Sequence, residues 1–185
     1  MNFVKDCHNP KFVQVGNRRI YLCGWRDCYT KELKKISKLD IFIALDTSWT
    51  ELLPISYAAS TELIQSLTEF NHDGLSNLII WRIPDGHIDT DIANEVYRLL
   101  QKYNIGFGCL GGHGRTGWLL GYLINKIERL CGDKLLHEVR DRWCDEAIES
   151  SIQFKSLGIR MPQEEKKFTW LANVDCLSHL NSDMT

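Results

Sequence analysis

The nine residues from Cys109 to Gly117, with the sequence CLGGHGRTG, combine a thiol and a guanidinium with several glycines. Cys109 and Arg115 are six residues apart, and the apolar run over 118–124 is typical of a helix. Glycines let consecutive backbone N–H groups turn toward one point, where the N-terminus of the helix would add its positive end. The spacing predicts a phosphate-binding loop. Its predicted binding residues are Leu110, Gly111, Gly112, His113, Gly114 and Arg115.

Cys109 is also a candidate nucleophile. The thiolate is the reactive form of cysteine, and a fixed cation together with a helix N-terminus favours it over the thiol. Thr116 directly follows Arg115, and its hydroxyl could donate to the sulfur and ease its departure as a leaving group. The predicted chemistry is phosphoryl transfer to Cys109 while Arg115 holds two phosphate oxygens.

Three other interpretations of the same loop compete. Residues 106–111 fit the dinucleotide fingerprint G-x-G-x-x-G, which requires a helix that opens within the glycines. We expect the strand to run from Ile105 to Gly108 and the helix to start only after Gly114. A Walker A loop would need Gly at Cys109 and Lys at Arg115. A structural turn with a buried cysteine is the third interpretation.

The segment from Trp81 to Gly86, WRIPDG, supplies a candidate acid. Asp85 lies 24 residues before Cys109. Pro84 stiffens the approach, and Gly86 permits the bend that would bring Asp85 over the phosphate site. The alternative is an ordinary surface turn, for which Pro-Asp-Gly is a strong signal.

At these residues the chain resembles the cysteine-dependent protein tyrosine and dual-specificity phosphatases. Their signature is Cys-x-x-Gly-x-x-Arg followed by Ser or Thr, and Cys109, Gly112, Arg115 and Thr116 match it. Trp81 to Gly86 resembles the mobile acid loop of the family, although Trp81 stands three residues before Pro84 rather than next to it. Gly108 stands where most members have histidine. The order, acid first and cysteine second, differs from that of the low-molecular-weight tyrosine phosphatases, and rhodanese-type phosphatases lack this acid loop.

The resemblance implies a small dual-specificity-like phosphatase without cofactor or metal. It implies a cysteinyl-phosphate intermediate on Cys109, with Asp85 first as general acid and then as general base. In related phosphatases a downstream glutamine positions the attacking water, and Gln153, 44 residues beyond Cys109, is the candidate, with a surface glutamine after a helix as the alternative. The implied partner is a phosphorylated protein. An RNA 5′ end, a nucleotide, an inositol phosphate, or a silent phosphate-binding role are the alternatives.

Composition is typical of one small globular domain. The chain has 185 residues, 44% of them hydrophobic, and a net charge of −2, which disfavours nucleic acid as a partner and leaves the oligomeric state open. We expect a single domain over 1–185 with a loose tail over 181–185, no membrane segment and no secretory signal. Seven cysteines without scaffold spacing indicate a reducing compartment, the cytoplasm. A zinc cluster at Cys7, His8, Cys23 and Cys28 lacks ligand spacing, so we expect free thiols.

The elements that must position these motifs alternate between strands and helices. A hairpin is predicted around Gly16-Asn17, and apolar strands are predicted over 41–45, 78–81 and 105–108. Helices are predicted from Thr30 to Lys38, over 56–70, from Asp89 or Thr90 to Tyr103, behind Arg115, from a cap at Asp133, and from Pro162. This pattern predicts an α/β fold with a mostly parallel sheet of about four to five strands and helices on both faces. In such sheets ligands bind at the carboxyl ends of the strands, where Asp85 and Cys109 both fall.

Overall fold

The computed structural model describes residues 10–24, 38–47, 69–72 and 75–161. Within this part of the chain, six strands and four helices form an α/β fold. The strands are β1 (Lys11–Val15), β2 (Arg18–Gly24), β3 (Ile41–Ala44), β4 (Glu69–His72), β5 (Leu75–Ile80) and β6 (Ile105–Cys109). The helices are α1 (Thr90–Leu100), α2 (Gly114–Glu128), α3 (Gly132–Arg142) and α4 (Ser151–Ser156).

The sheet has the strand order β1-β2-β6-β3-β5-β4. Its four inner strands, β2, β6, β3 and β5, are parallel, and the edge strands β1 and β4 are antiparallel to their neighbours. Every residue of β3 and β6 is buried, as expected for parallel strands in the middle of a covered sheet. The mostly parallel sheet and the N-terminal hairpin, whose turn residue Gly16 has a φ of 56°, are therefore confirmed.

Helix α2 is the central helix of the described fold. All of its residues from Gly114 to Ile124 are buried, because it packs against β6 on one side and against α1, α3 and α4 on others. Helix α1 begins as predicted, since the Asp89 carboxylate accepts a hydrogen bond of 3.0 Å from the backbone N–H of Ile92. The apolar face of α1 then buries Ile92, Val96 and Leu100.

Several predicted boundaries are wrong. Residues Glu69–His72 form β4, not the end of a helix, because they pair with β5 in the register Glu69↔Asn77. Strand β5 begins at Leu75 rather than at Leu78, since this pairing extends it. Helix α3 has Cys131 as its N-cap, and Asp133 lies in its first turn instead. Helix α4 was not predicted at all.

Other expectations lie outside the described residues. These are residues 30–37 of the helix predicted over 30–38, residues 56–68 of the helix predicted over 56–70, the helix predicted from Pro162, the tail over 181–185, and the positions of Cys7, His8 and Cys28. Among the described cysteines, Cys23, Cys109 and Cys144 are thiols and Cys131 is disulfide-bonded, which the odd cysteine count did not predict. No helix in the described ranges is both long and apolar enough to span a bilayer.

Candidate active site

Four strand ends meet at one edge of the sheet and carry the predicted site. Strand β6 ends at Cys109, β3 is followed closely by Asp46, β5 leads into the segment with Asp85, and β2 ends at Gly24. Parallel neighbours place all four carboxyl ends on the same side. Below, residues 109–115 are called the signature loop, and residues Trp81–Gly86 are called the acid loop.

Cys109 and Thr116 form a direct contact across the signature loop. The Thr116 Oγ1 donates to the Cys109 sulfur at 3.1 Å and accepts from the Cys109 backbone N–H at 3.0 Å. Both residues are buried. The hydroxyl is therefore positioned to stabilise negative charge on the sulfur.

The floor of the signature loop depends on close backbone packing. Gly112 has a φ of 78°, which favours glycine, and a Cβ there would lie 3.3 Å from the backbone of Gly24. The Trp143 indole N–H donates to the Gly112 carbonyl oxygen at 2.6 Å, in a buried contact. The loop is thus held between the end of β2 and the tryptophan that ends α3.

His113 contacts the segment that follows Trp143. Its Nδ1 is 3.5 Å from the Cys144 sulfur and 3.9 Å from an oxygen of Glu146, which is largely exposed. These contacts tie the loop to the segment between α3 and α4. They place His113 in a role of supporting the loop.

The backbone around Gly108 explains why histidine is absent from this position. Gly108 pairs with Cys23 of β2 and with Ala44 of β3, and a Cβ at Gly108 would overlap the carbonyl oxygen of Cys23. A backbone carbonyl cannot rotate away as a flexible side chain can. The close approach of β2 to β6 therefore requires glycine here.

Arg115 connects three of the strand ends. Its Nη1 donates to the Ile83 carbonyl oxygen at 3.1 Å, and its Nη2 lies 3.5 Å from Asp46 Oδ2 and 3.3 Å from Asp85 Oδ1. The side chains of Arg115 and Asp46 are 9% and 8% exposed, whereas that of Asp85 is 87% exposed. A buried guanidinium paired with a buried carboxylate has a fixed direction, and the exposed carboxylate is the one that can move away.

The acid loop is anchored at its beginning and turns at its end. The backbone N–H of Trp81 donates to the Ala44 carbonyl oxygen at 2.9 Å, and the side chains of Trp81 and Ile83 are buried. A turn follows, in which the His87 N–H donates to the Pro84 carbonyl at 3.1 Å and Gly86 has a φ of 70°. The segment therefore forms a turn, and this turn places Asp85 next to Arg115.

Gln153 is fully buried in α4, not on the surface. Its Oε1 accepts from the backbone N–H groups of Glu149 and Ser150, at 3.0 and 3.3 Å. Its Nε2 donates to the carbonyl oxygen of His87 at 3.4 Å and would lie 3.3 Å from a Cβ at Gly114. Gln153 thus lies between the end of the acid loop and the start of α2.

The structure brings together the predicted residues Cys109, Arg115, Thr116 and Asp85, and it places Gln153 beside them. Sequence reasoning missed Asp46, Trp143 and Ser150. Asp46 had a signal, since it is the first charged residue after an apolar strand whose carboxyl end reaches the site. Trp143 and Ser150 had none, because tertiary packing alone brings them to the loops.

The geometry also decides among the competing interpretations of the loop. Helix α2 begins at Gly114, beyond Gly111, so the helix does not open within G-x-G-x-x-G as a dinucleotide site requires. In the described ranges no group of three or more His, Cys, Asp and Glu is arranged to hold a metal ion. What the arrangement offers is a buried thiol, a directed guanidinium, a helix N-terminus and an exposed carboxylate.

Comparison with known proteins finds similar structures and no similar sequence. No family model matches the chain, and no curated protein matches its sequence. A crystal structure of Tk-PTP in the active form is 20% identical, covers 80% of this chain and 95% of its own, and has a TM-score of 0.54. A mutant form of Tk-PTP is also 20% identical, with a TM-score of 0.53 and coverage of 81% and 94%.

A third solved structure has the same architecture at lower identity. The kinase associated phosphatase (KAP), solved with its catalytic-site cysteine replaced by serine, is 13% identical. The match covers 83% of this chain and 93% of that one, with a TM-score of 0.56. The chain therefore has the fold of the cysteine-dependent protein tyrosine and dual-specificity phosphatases.

Proposed function

We propose that this chain is a cysteine-dependent phosphatase that hydrolyses phosphate monoesters on tyrosine, serine or threonine residues of proteins. The observation that carries the proposal is the convergence of four side chains: Thr116 donates to the Cys109 sulfur, and Arg115 pairs with Asp85. A loop that only bound phosphate would need the guanidinium and the backbone amides, but neither the thiol nor the exposed acid.

The proposed reaction has two steps. The Cys109 thiolate attacks phosphorus, and a sulfur–phosphorus bond forms as the bond to the leaving oxygen breaks. Asp85 gives its proton to that oxygen. A water molecule then attacks phosphorus while Asp85 accepts its proton, so that inorganic phosphate and the thiolate are released.

Arg115, the loop amides and the N-terminus of α2 stabilise the charge on the phosphoryl oxygens in both steps. Thr116 stabilises the thiolate when it is the leaving group of the second step. Gln153 is proposed to lie near the attacking water, since it sits between the acid loop and Gly114. The reaction as proposed uses no cofactor.

The test is hydrolysis of an aryl phosphate by the purified chain, with mass spectrometry of the protein during turnover. We expect release of inorganic phosphate and a mass increase of one phosphoryl group on the peptide that contains Cys109. Cys109→Ser should remove both signals while inorganic phosphate still binds. Turnover by the serine variant would refute the nucleophile, and no turnover by the wild type would favour a phosphate-binding protein.

The substrate class and location are parts of the same proposal. The substrate class is tested by comparing rates of hydrolysis. The comparison sets phosphotyrosine, phosphoserine and phosphothreonine peptides against an RNA 5′ end, a nucleotide and an inositol phosphate. We expect the phosphopeptides to react fastest. A cytoplasmic location follows from the need to keep Cys109 reduced, and the thiols of Cys23, Cys109 and Cys144 agree with it, whereas the disulfide at Cys131 does not.

A further inference from the structure

We infer that Ser150 is a positioning residue that holds the acid loop over the signature loop. The inference rests on the proposed function, because it assigns Ser150 a role through Asp85. Ser150 is the N-cap of α4, and its Oγ donates to the Gly86 carbonyl oxygen at 2.5 Å. Gly86 directly follows the proposed acid.

The same region of α4 fixes the next carbonyl of the chain. Gln153 donates to the carbonyl oxygen of His87 at 3.4 Å, and its side chain is locked by the capping box that it forms with Ser150. Two successive carbonyls after Asp85 are thus bound to one helix turn. Asp85 itself is exposed, so these backbone contacts limit where its carboxylate can reach.

The segment before α4 packs against helix α2, which directly follows the signature loop. A Cβ at Gly117 would lie 2.8 Å from the Cβ of Ala147 and 2.9 Å from the backbone nitrogen of Ile148, so this segment packs against the first turn of α2. Residues 147–153 therefore contact both the helix behind Cys109 and the residues that follow Asp85. A displacement of Ser150 would change the distance between acid and nucleophile without touching the phosphate.

Two functions of the Ser150 side chain can be separated by substitution. Its Oγ accepts from the Gln153 N–H at 3.2 Å as an N-cap and donates to Gly86 as a tether. Ser150→Asp keeps a good N-cap but cannot donate when ionised, whereas Ser150→Thr keeps both. The matched control is Ser151→Ala, an exposed serine one residue further on.

The first experiment measures kcat/KM, which covers the steps through phosphoryl transfer to Cys109, on an aryl phosphate with a poor leaving group, phenyl phosphate, and on one with a good leaving group, p-nitrophenyl phosphate. Loss of one hydrogen bond should lower kcat/KM of Ser150→Asp on phenyl phosphate by roughly fivefold to tenfold. The effect on p-nitrophenyl phosphate should be smaller, and inhibition by inorganic phosphate should not change. Ser150→Thr and Ser151→Ala should match the wild type.

The combination with Asp85→Asn decides whether Ser150 acts through the acid. In that background Ser150→Asp should have no further effect on kcat/KM, because the group that it positions is gone. An equal loss of kcat/KM in both backgrounds, an equal loss of kcat/KM on both substrates, or wild-type kcat/KM in Ser150→Asp would overturn the inference.

Hydrogen exchange tests the tether even without turnover. The backbone amides of residues 85–88 should exchange faster in Ser150→Asp than in the wild type, whereas those of β6 should not change. Unchanged exchange over 85–88 would refute the tether. Absence of wild-type hydrolysis combined with faster exchange would instead refute the proposed function and keep the contact.

Discussion

At the scale of single residues, the positive charge of Arg115 is already paired with carboxylates in the structure. Its guanidinium meets a buried carboxylate at Asp46, an exposed one at Asp85 and the carbonyl of Ile83. Only Asp85 can leave without exposing a buried charge. We therefore expect an incoming phosphate to replace Asp85 at Arg115 and to leave Asp46 in place.

Replacement of Asp85 by asparagine should remove proton donation while the turn around it persists. We expect kcat on phenyl phosphate to fall by roughly 10²–10⁴-fold, because a positioned acid contributes that much to a reaction with a poor leaving group. Steady-state kinetics measure it. An unchanged rate would reduce Asp85 to a turn residue.

Asp46→Asn tests whether the Asp46 carboxylate fixes the orientation of the Arg115 guanidinium. The amide keeps the shape but removes the charge, so the guanidinium loses its fixed direction and kcat should fall by roughly tenfold. Inorganic phosphate should inhibit at least as well as before, since the group removed is an anion. A matched comparison is Asp91→Asn, an exposed acid in the first turn of α1. A rise in the inhibition constant without loss of kcat would contradict this assignment.

Gly108→Ala tests the contact between β6 and β2. The added methyl meets a backbone carbonyl, so the strands must separate, and we expect a loss of about 1–3 kcal/mol in the free energy of unfolding. Urea denaturation followed by fluorescence measures it. Gly121→Ala is the control, because its nearest neighbour is a side-chain atom of Leu157 and alanine favours a helix. Equal unfolding free energies of the two variants would contradict this prediction, because they would mean that β2 moves away from β6 at little cost.

At the level of elements, Arg142 joins the end of α3 to two other parts of the chain. Its guanidinium donates to both carboxylate oxygens of Glu128, at 2.6 and 2.8 Å, and to the backbone oxygen of Gln14 at 3.0 Å. Glu128 in turn accepts from the N–H of Gly16 at 2.7 Å. Helices α2 and α3 are thereby fixed to the hairpin turn.

This network predicts a pH dependence of stability. The hydrogen bond from Arg142 lowers the pKa of Glu128, so the folded state favours the carboxylate. The stabilisation is present above the unfolded pKa and is lost as the pH falls through the folded pKa. Between about pH 6 and about pH 3 the wild type should lose about 1 kcal/mol more unfolding free energy than Glu128→Gln, a modest figure for a partly exposed pair. Parallel curves for the two proteins would contradict it.

The elements also show which parts of the candidate site could be predicted from the amino-acid sequence. The thiol, the guanidinium and Thr116 lie within eight consecutive residues, so local spacing reveals them. Asp85 follows a strand and a proline, which are local signals too. Ser150 and Trp143 reach the loops from 64 and 31 residues away, and no periodicity encodes such a contact. Strand β4 was missed for the same reason, since pairing with β5 overrides its helical spacing.

At the scale of the whole molecule, alternation of strands and helices was sufficient to predict the mostly parallel sheet and the edge that carries the candidate site. The strand order was not predictable from that pattern. It depends on which two strands lie on either side of β6, and the alternation of elements does not specify them. In the structure β6 lies between β2 and β3, which gives Cys109 a neighbour on each side. Gly24 and Asp46 owe their places in the site to this order.

The contact of Gly108 with β2 has a consequence for how such a chain can change over generations. Most cysteine-dependent tyrosine phosphatases have histidine at this position. A substitution of Gly108 by histidine would have to be preceded by one that moves β2 away from β6. Neither change is advantageous alone, since the first would clash and the second would loosen the support of Gly24 under Gly112. We expect homologues that share this glycine to share Trp143 as well, because the loop then relies on the indole for its support.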